Sequence, residues 1–253
     1  QDEGIVPDAV TFISILKACG STGDIDKGAQ IHDKIVSKGL LEKNIVMGNA
    51  LVDMYAKCGV IARAQEVLEV LPFRDVVSWN ALIAGYAQQG QGHQVMHCFE
   101  RMLSEGFSPN AVTYTCILKA CGNIEAIDKG TRIHEAIVSQ GYLEKDSVLA
   151  TALVDMYAKC GVLCKAQQIL EASPVQDPAP WNALIAGYVQ QGHCHKALDC
   201  FEKMQMKGLS PHAITLICIL KACGSIGAIA KGKQIHDLFL TLGLLDKDMV
   251  LGS

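Results

Sequence analysis

The sequence predicts an all-α protein, an α-solenoid of stacked antiparallel helix pairs wound into a right-handed superhelix. Three observations lead to this prediction. Sequence strings recur at one fixed shift, and apolar residues recur at spacings of three and four without the alternation typical of strands. Half of the 253 residues are hydrophobic and only 19% are charged, which excludes disorder as the dominant state.

The internal repeat is visible in three separate strings. ILKACG occupies 15–20, 117–122 and 219–224; LVDMYAKCGV occupies 51–60 and 153–162; WNALIAGY occupies 79–86 and 181–188. Every copy lies 102 residues after the preceding one. Agreement of three strings at one shift establishes a true repeat, and a repeat largely determines the fold.

Smaller units are found inside the repeat when its apolar positions are aligned. We divide it into segments of 36, 31 and 35 residues, each predicted to hold two helices. Glycines such as Gly90 and Gly106 end the helices, and prolines fall near the segment boundaries. The segments are 9–44, 45–75, 76–110, 111–146, 147–177, 178–212 and 213–248, with 1–8 ending a preceding repeat and 249–253 starting a truncated one.

Composition excludes several classes of protein. The formal net charge of −4 excludes a polycationic nucleic-acid arm. The sequence contains no run of 18 uncharged apolar residues, which excludes a membrane-spanning helix. The eleven cysteines are an odd number and contain no CxxC pair. Equivalent cysteines such as Cys19, Cys121 and Cys223 are a whole repeat apart and cannot share a metal ion. We therefore interpret the cysteines as packing residues, and expect no metal site and no cofactor.

Two positions of each segment, the fifth and the last, are polar in most repeats and are the candidate functional positions. Helix capping accounts for the last residue of a segment, which precedes a helix. It does not account for the fifth residue, which lies inside a helix where Asn and Thr are mediocre formers. The fifth residues are Ile13, Asn49, Asn80, Thr115, Thr151, Asn182 and Ile217; the last residues are Asn44, Asp75, Asn110, Asp146, Asp177, His212 and Asp248.

The repeated strings resemble those of pentatricopeptide-repeat proteins, in particular the plant type in which three segment variants alternate. ILKACG followed by KGxxIH is similar to the long variant, GNALVDMYAKCG to the short one, and WNALIAGY to the standard one. The long segments are then 9–44, 111–146 and 213–248, the short ones 45–75 and 147–177, and the standard ones 76–110 and 178–212.

The resemblance implies binding of single-stranded RNA, one base per segment, with the fifth and last residues selecting the base. The implied base-selecting residues are Asn49, Asp75, Asn80, Asn110, Thr151, Asp177, Asn182 and His212, with Thr115 and Asp146 weaker. Val46, Val77 and Val148 match the family's base-sandwiching position, from which Ala179 departs. Lys57 and Lys159 are candidates for phosphate contacts, with a solvated face as the alternative. The expected target is 5′-U-Y-N-G-Y-3′.

By the same resemblance, we expect the RNA-recognition tract of an RNA-processing or C-to-U editing factor in a plant mitochondrion or chloroplast. Other editing factors are candidate partners, and the targeting peptide is expected outside these residues. Neither DNA nor a membrane is expected as a partner. No enzymatic activity is expected, because the HxE and PCxxC zinc motifs of deaminases are absent from this sequence. The alternative is a helical-repeat protein–protein scaffold without RNA binding, which would have no two-position periodic code.

Overall fold

The computed structural model describes residues 8–42, 44–143, 147–172 and 177–241. Every regular element within these ranges is an α-helix, as predicted. The helices are α1 (Ala9–Thr22), α2 (Ile25–Ser37), α3 (Ile45–Lys57), α4 (Ile61–Val70), α5 (Val76–Gln88), α6 (Gly92–Ser104), α7 (Ala111–Asn123), α8 (Ile127–Ser139), α9 (Ser147–Lys159), α10 (Leu163–Ala172), α11 (Pro178–Gln190), α12 (Cys194–Met206), α13 (Ala213–Ile226) and α14 (Ile229–Thr241).

The helices belong to two compact units, one ending at Ala120 and the other beginning at Cys121 within α7. In the first unit, α1 packs against α3 and α3 against α5, while α2, α4 and α6 each pack on their own partner. α2 and α4 also contact the first helix of the following pair. In the second unit, α9, α11 and α13 pack in the same order, with α10 and α12 bridging successive pairs. The predicted stacking of helix pairs is therefore confirmed within each unit.

Side-chain caps and glycines determine where the helices begin and end. Asp75 precedes α5, and its carboxylate accepts hydrogen bonds from the backbone N–H groups of Val77 and Ser78. The hydroxyl of Ser78 accepts in return from the N–H of Asp75, which completes a capping box. After α5, Gly90 has a φ of +70°, a left-handed conformation that other residues rarely adopt.

The first helices of successive pairs approach each other closely through small residues. A Cβ atom added to Gly85 in α5 would lie 2.8 Å from the Cβ of Ala56 in α3. In the second unit, a Cβ on Gly187 in α11 would lie 2.9 Å from the Cβ of Ala158 in α9. Both distances are shorter than real carbon contacts, so glycine is required for the observed spacing of these helices. Equivalent positions therefore pack in the same way in both units.

The cysteines contribute to this packing. All eleven are free thiols in the structure, and only Cys164 is exposed. Burial raises the pKa of Cys98 and of Cys121 to about 11, and that of Cys200 to about 12. These three thiols therefore stay protonated near neutral pH, which supports their interpretation as packing residues rather than nucleophiles.

Equivalent histidine–tyrosine pairs connect second helices to the first helices of the next pair. The Nδ1 atom of His32 in α2 lies 3.0 Å from the hydroxyl oxygen of Tyr55 in α3. The Nδ1 atom of His134 in α8 lies 2.9 Å from that of Tyr157 in α9. Burial is the main cause that lowers the pKa of both histidines below the usual 6.5. A neutral imidazole whose Nδ1 is unprotonated can accept a hydrogen bond from the tyrosine hydroxyl, whereas the imidazolium has no acceptor nitrogen.

These pairs predict a loss of stability on acidification. Because the pKa of each histidine is lower in the folded than in the unfolded chain, the unfolded chain binds more protons once the pH falls through 6.5. The free energy of unfolding should therefore decrease between about pH 7 and pH 5. Urea unfolding across this range measures the effect. The double variant His32→Gln, His134→Gln should show a weaker decrease; an equal decrease in both proteins would contradict this account.

The packing also predicts a localised effect of core truncation. Leu153 in α9 is fully buried, so Leu153→Ala should cost about 2–5 kcal/mol. Val148→Ala in the same helix is the matched control, because Val148 is 58% exposed and its loss should change stability by less than about 0.5 kcal/mol. Hydrogen exchange should rise first in α10 and α11, which contact α9. A uniform rise over all the described helices would contradict this prediction.

Candidate nucleic-acid interface

An open groove of about 590 Å³ lies along the first helices of the first unit, on α1, α3, α5 and the start of α7. It brings together both base-selecting pairs predicted for this unit, together with Val46 and Val77. Ala50, Ala81 and Ala84 line it without filling it. The residues that concern the site are Ile13, Lys17, Val46, Asn49, Asp53, Asp75, Val77, Asn80, Asn110 and Val112.

The first pair consists of Asn49 in α3 and Asp75 before α5. The Nδ2 group of Asn49 donates to both carboxylate oxygens of Asp75 at 3.2 Å. Because a carboxylate only accepts hydrogen bonds, it fixes the amide with its NH₂ group toward Asp75. The Oδ1 atom of Asn49 is buried and has no hydrogen-bond partner among the described residues. This acceptor is the unsatisfied polar atom of the groove.

The second pair consists of Asn80 in α5 and Asn110 before α7. The Nδ2 group of Asn80 donates to Oδ1 of Asn110 at 3.0 Å, and the backbone N–H of Thr113 donates to the same oxygen at 3.1 Å. The hydroxyl of Thr113 lies 2.7 Å from Oδ1 of Asn80. Asn110 therefore has the same two roles as Asp75. Each side chain caps the helix that follows it and also accepts a hydrogen bond from the fifth-position asparagine of its own segment.

Exposed valines stand beside these polar pairs. Val46 is 54% exposed, Val77 57% and Val112 56%, although each belongs to a helix whose other large apolar residues are mostly buried. Val148 in α9 is 58% exposed. Sequence reasoning missed Val10, Val112 and Ile214, which hold the same second position of the long segments and are also exposed. The segment boundaries already place these three residues at the same position as Val46, Val77 and Val148, so the sequence alone could have identified them.

The predicted residues of the second unit make a different set of contacts among the described residues. Asp177 caps α11 by accepting from the backbone N–H of Ala179 at 2.9 Å, as Asp75 caps α5. Thr151 is half-buried in α9. The Oδ1 atom of Asn182 accepts from the hydroxyl of Thr215 at 2.6 Å. His212 is exposed before α13 and forms no side-chain cap; among the described residues no hydrogen bond joins it to Asn182.

The pair predicted to be weaker falls partly outside the described residues. Asp146 lies there, so its relation to Thr115 stays a prediction. Thr115 itself is half-buried in α7, and its hydroxyl donates to the carbonyl of Ala111 at 2.8 Å. This bond occupies the hydroxyl proton within its own helix.

The two predicted phosphate-binding lysines carry acidic partners. The ammonium of Lys57 lies 2.7 Å from Asp53, and that of Lys159 lies 2.8 Å from Asp155, in both cases one helical turn earlier. Lys159 also donates to the side chain of Asn123 at 3.1 Å. A phosphate group would have to compete with these carboxylates, so the lysines are weaker candidates than their spacing indicates.

No group of three or more His, Cys, Asp and Glu side chains that could hold a metal ion is found among the described residues. None of the helices in the described part of the chain is both long enough and apolar enough to cross a bilayer.

Comparison with known proteins identifies the family. A model of the PPR repeat family matches residues 74–123 and 177–225, and a model of the single PPR repeat matches residues 10–40. Together these matches cover half of the chain. The crystal structure of nuclear proteinaceous RNase P 2 from Arabidopsis thaliana aligns with a TM-score of 0.52 at 13% identity, over 66% of this chain and 38% of that one. At this identity the alignment shows the shared fold.

Curated relatives agree with the family models. A mitochondrial pentatricopeptide repeat-containing protein of Arabidopsis thaliana is 37% identical over 243 residues, which are 96% of this chain and 23% of the relative. A chloroplastic one is 36% identical over 222 residues, 88% of this chain and 36% of the relative. The chain thus spans less than two fifths of the length of these relatives, and their names confirm the predicted location in a plant organelle. The chain belongs to the pentatricopeptide repeat family.

Proposed function

We propose that this chain binds single-stranded RNA and contacts one base per helix pair, as the RNA-recognition tract of an organellar RNA-processing or C-to-U editing factor. The observation that carries the proposal is the groove of the first unit, where Asn49 and Asn80 lie between exposed valines. Membership of the family supports RNA as the ligand.

The groove has the two kinds of surface that an unpaired base requires. A base has apolar faces and a polar edge, and proteins bind it by contacts with both. Val46 and Val77 expose apolar side chains on successive first helices, suited to the faces of a base. Asn49 lies in the same stretch of groove, where its amide suits the edge. Base-paired nucleic acid conceals these edges, so the groove favours a single strand.

Charge favours recognition through bases rather than through phosphates. The chain has a formal net charge of −4, and Lys57 and Lys159 already pair with carboxylates. Binding that depends on phosphate contacts requires free Lys and Arg and weakens steeply with salt. We therefore expect affinity to depend mainly on which bases are present and only moderately on ionic strength.

The proposed base assignment follows the fifth and last residues of each segment. Asn49 with Asp75 favours U, Asn80 with Asn110 a pyrimidine, Thr151 with Asp177 G, and Asn182 with His212 a pyrimidine. Thr115 with Asp146 is left unassigned, and the segments containing Ile13 and Ile217 should select no base. With the chain running along the RNA from 5′ to 3′, the proposed target is 5′-U-Y-N-G-Y-3′.

Selection from a randomised RNA pool tests the proposed function. The purified chain should retain RNA and enrich this five-base pattern. The double variant Asn49→Ala, Asn80→Ala should lose enrichment at the first two bases alone, because only their selecting amides are removed. If the wild-type chain retained no RNA and enriched no motif, the proposal would fail, and the protein–protein scaffold would be the better account.

The second unit offers a switch of specificity. Thr151→Asn keeps Asp177 and reproduces the pairing of Asn49 with Asp75, so the preference at the fourth base should change from G to U. A single hydrogen bond contributes about 0.5–1.5 kcal/mol, which corresponds to a change of several-fold to about tenfold in relative affinity. Binding to RNAs that differ only at this base measures it, and the other four bases are the internal control. Retained preference for G, or loss of discrimination at every base, would contradict the two-position assignment.

A further inference from the structure

Two buried threonines contact the fifth-position asparagines from the following helix pair. The hydroxyl of Thr113 in α7 lies 2.7 Å from Oδ1 of Asn80 in α5. The hydroxyl of Thr215 in α13 lies 2.6 Å from Oδ1 of Asn182 in α11. Both threonines are almost completely buried, and each is the third residue of its segment. Neither belongs to the two positions to which base selection is assigned above.

The sequence shows the same association independently of the structure. Wherever the fifth residue is Asn, the third residue of the next segment carries a hydroxyl; wherever it is not, that residue is apolar. The pairs with Asn are Asn49 with Ser78, Asn80 with Thr113 and Asn182 with Thr215; the others are Ile13 with Met47, Thr115 with Leu149 and Thr151 with Pro180.

Segment type explains part of the association, because Thr11, Thr113 and Thr215 are the third residues of the three long segments. It does not explain the standard segments. The segments 45–75 and 147–177 are both short segments, yet Asn49 in the first is matched by Ser78, and Thr151 in the second by Pro180. In the standard segments, where the third residue varies, the hydroxyl thus accompanies the asparagine.

Helix capping does not explain it either. Thr113 does share a capping arrangement with Asn110. Thr215 follows His212, which makes no side-chain cap, and the hydrogen bond of its hydroxyl is the one to Asn182. Because this threonine has no cap to complete, its contact with the asparagine stands alone.

In both contacts the threonine hydroxyl donates to the oxygen of the asparagine amide, and in Asn80 the NH₂ end is fixed as well, because it donates to Oδ1 of Asn110. The oxygen and the NH₂ group of Asn exchange places on a half-turn of the side chain, and only hydrogen bonds distinguish the two orientations. The hydroxyl of Thr113 lies 2.7 Å from Oδ1 of Asn80 and 3.0 Å from Oδ1 of Asn110, so the shorter contact is the one to Asn80. A hydroxyl that donates to Oδ1 occupies the oxygen. In Asn80, one N–H is then given to Asn110 and the other is left for a base. In Asn182, the NH₂ group has no partner among the described residues.

Ser78 illustrates the opposite case. Its hydroxyl donates to the carbonyl oxygen of Asp75 at 2.8 Å instead of reaching Asn49. Oδ1 of Asn49 is left as a buried acceptor without a described partner, and the carboxylate of Asp75 alone orients the amide. The third residue of the next segment thus decides whether the acceptor of the asparagine is occupied by the protein.

We propose that Thr113 and Thr215 are specificity-determining positioning residues. Each occupies the oxygen of the asparagine amide of the preceding segment, which leaves the NH₂ group as the donor available to a base and favours bases with an acceptor at the contacted position, such as N3 of cytosine. This inference rests on the proposed RNA binding. It adds a third position, contributed by the next helix pair, to the two that select the base.

Isosteric removal of the hydroxyls tests the inference. Thr113→Val and Thr215→Val keep the volume and remove the donor. Thr11→Val is the matched control, because Thr11 holds the same third position but its hydroxyl bonds to Asp8 and to no asparagine. For each protein, affinities are measured for RNAs that differ only at the base opposite Asn80 or opposite Asn182. A thermal melting curve of each variant identifies a temperature at which all variants are folded, and the affinities are measured at that temperature.

The expected result is local. Thr113→Val should reduce discrimination about two- to tenfold at the base opposite Asn80, and Thr215→Val should do so opposite Asn182, the range expected for one hydrogen bond. Thr11→Val should change discrimination at no base. A merely structural effect would weaken binding to all RNAs and leave the ratio of affinities at one base unaltered.

Contrary outcomes separate the two proposals. A wild-type chain without any base preference would overturn the proposed function. A wild-type preference that survives Thr215→Val, or that is lost at every base together, would overturn the role of the threonines and leave RNA binding intact. If Thr113→Val failed to fold because its cap is also lost, Thr215→Val decides the question, since no cap depends on Thr215.

Discussion

The side-chain caps at the starts of α5 and α7 are the interactions on which the candidate site depends. Asp75 fixes the first turn of α5 through the N–H groups of Val77 and Ser78, and the same carboxylate holds the amide of Asn49 in α3. One side chain therefore both caps a helix and orients a polar group on the neighbouring helix. Asn110 repeats the arrangement with Asn80.

Such bonds are possible because the first helices lie unusually close together. Residues about 26 to 33 positions apart in the chain come within 2.7–3.2 Å of each other at these sites. Glycine at Gly85 and Gly187 permits this approach, since a Cβ atom there would collide with Ala56 or Ala158. The hydrogen bonds of the groove therefore depend on the same close packing of the first helices that buries their apolar residues.

The fold could be predicted from the sequence because a repeated apolar pattern at helical spacing has few other solutions. The exposed valines of the long segments were equally readable, since Val112 keeps the register of Val77. The contacts of Thr113 and Thr215 were not, because the partner of a buried hydroxyl depends on how two helices pack. The pairing of Lys57 with Asp53 was a readable signal that the sequence analysis did not use, as opposite charges four residues apart meet on a helix.

The polar groups around Asn80 come from three places: α5 itself, the turn before α7, and the first turn of α7. A boundary drawn at the last residue of a segment therefore cuts through the site instead of between sites. Protein engineers who exchange whole segments as interchangeable cassettes would join an asparagine to a foreign third residue wherever the fifth residue of the preceding segment is Asn. A cassette that ran from the fourth residue of one segment to the third residue of the next would carry its complete set of contacts with it.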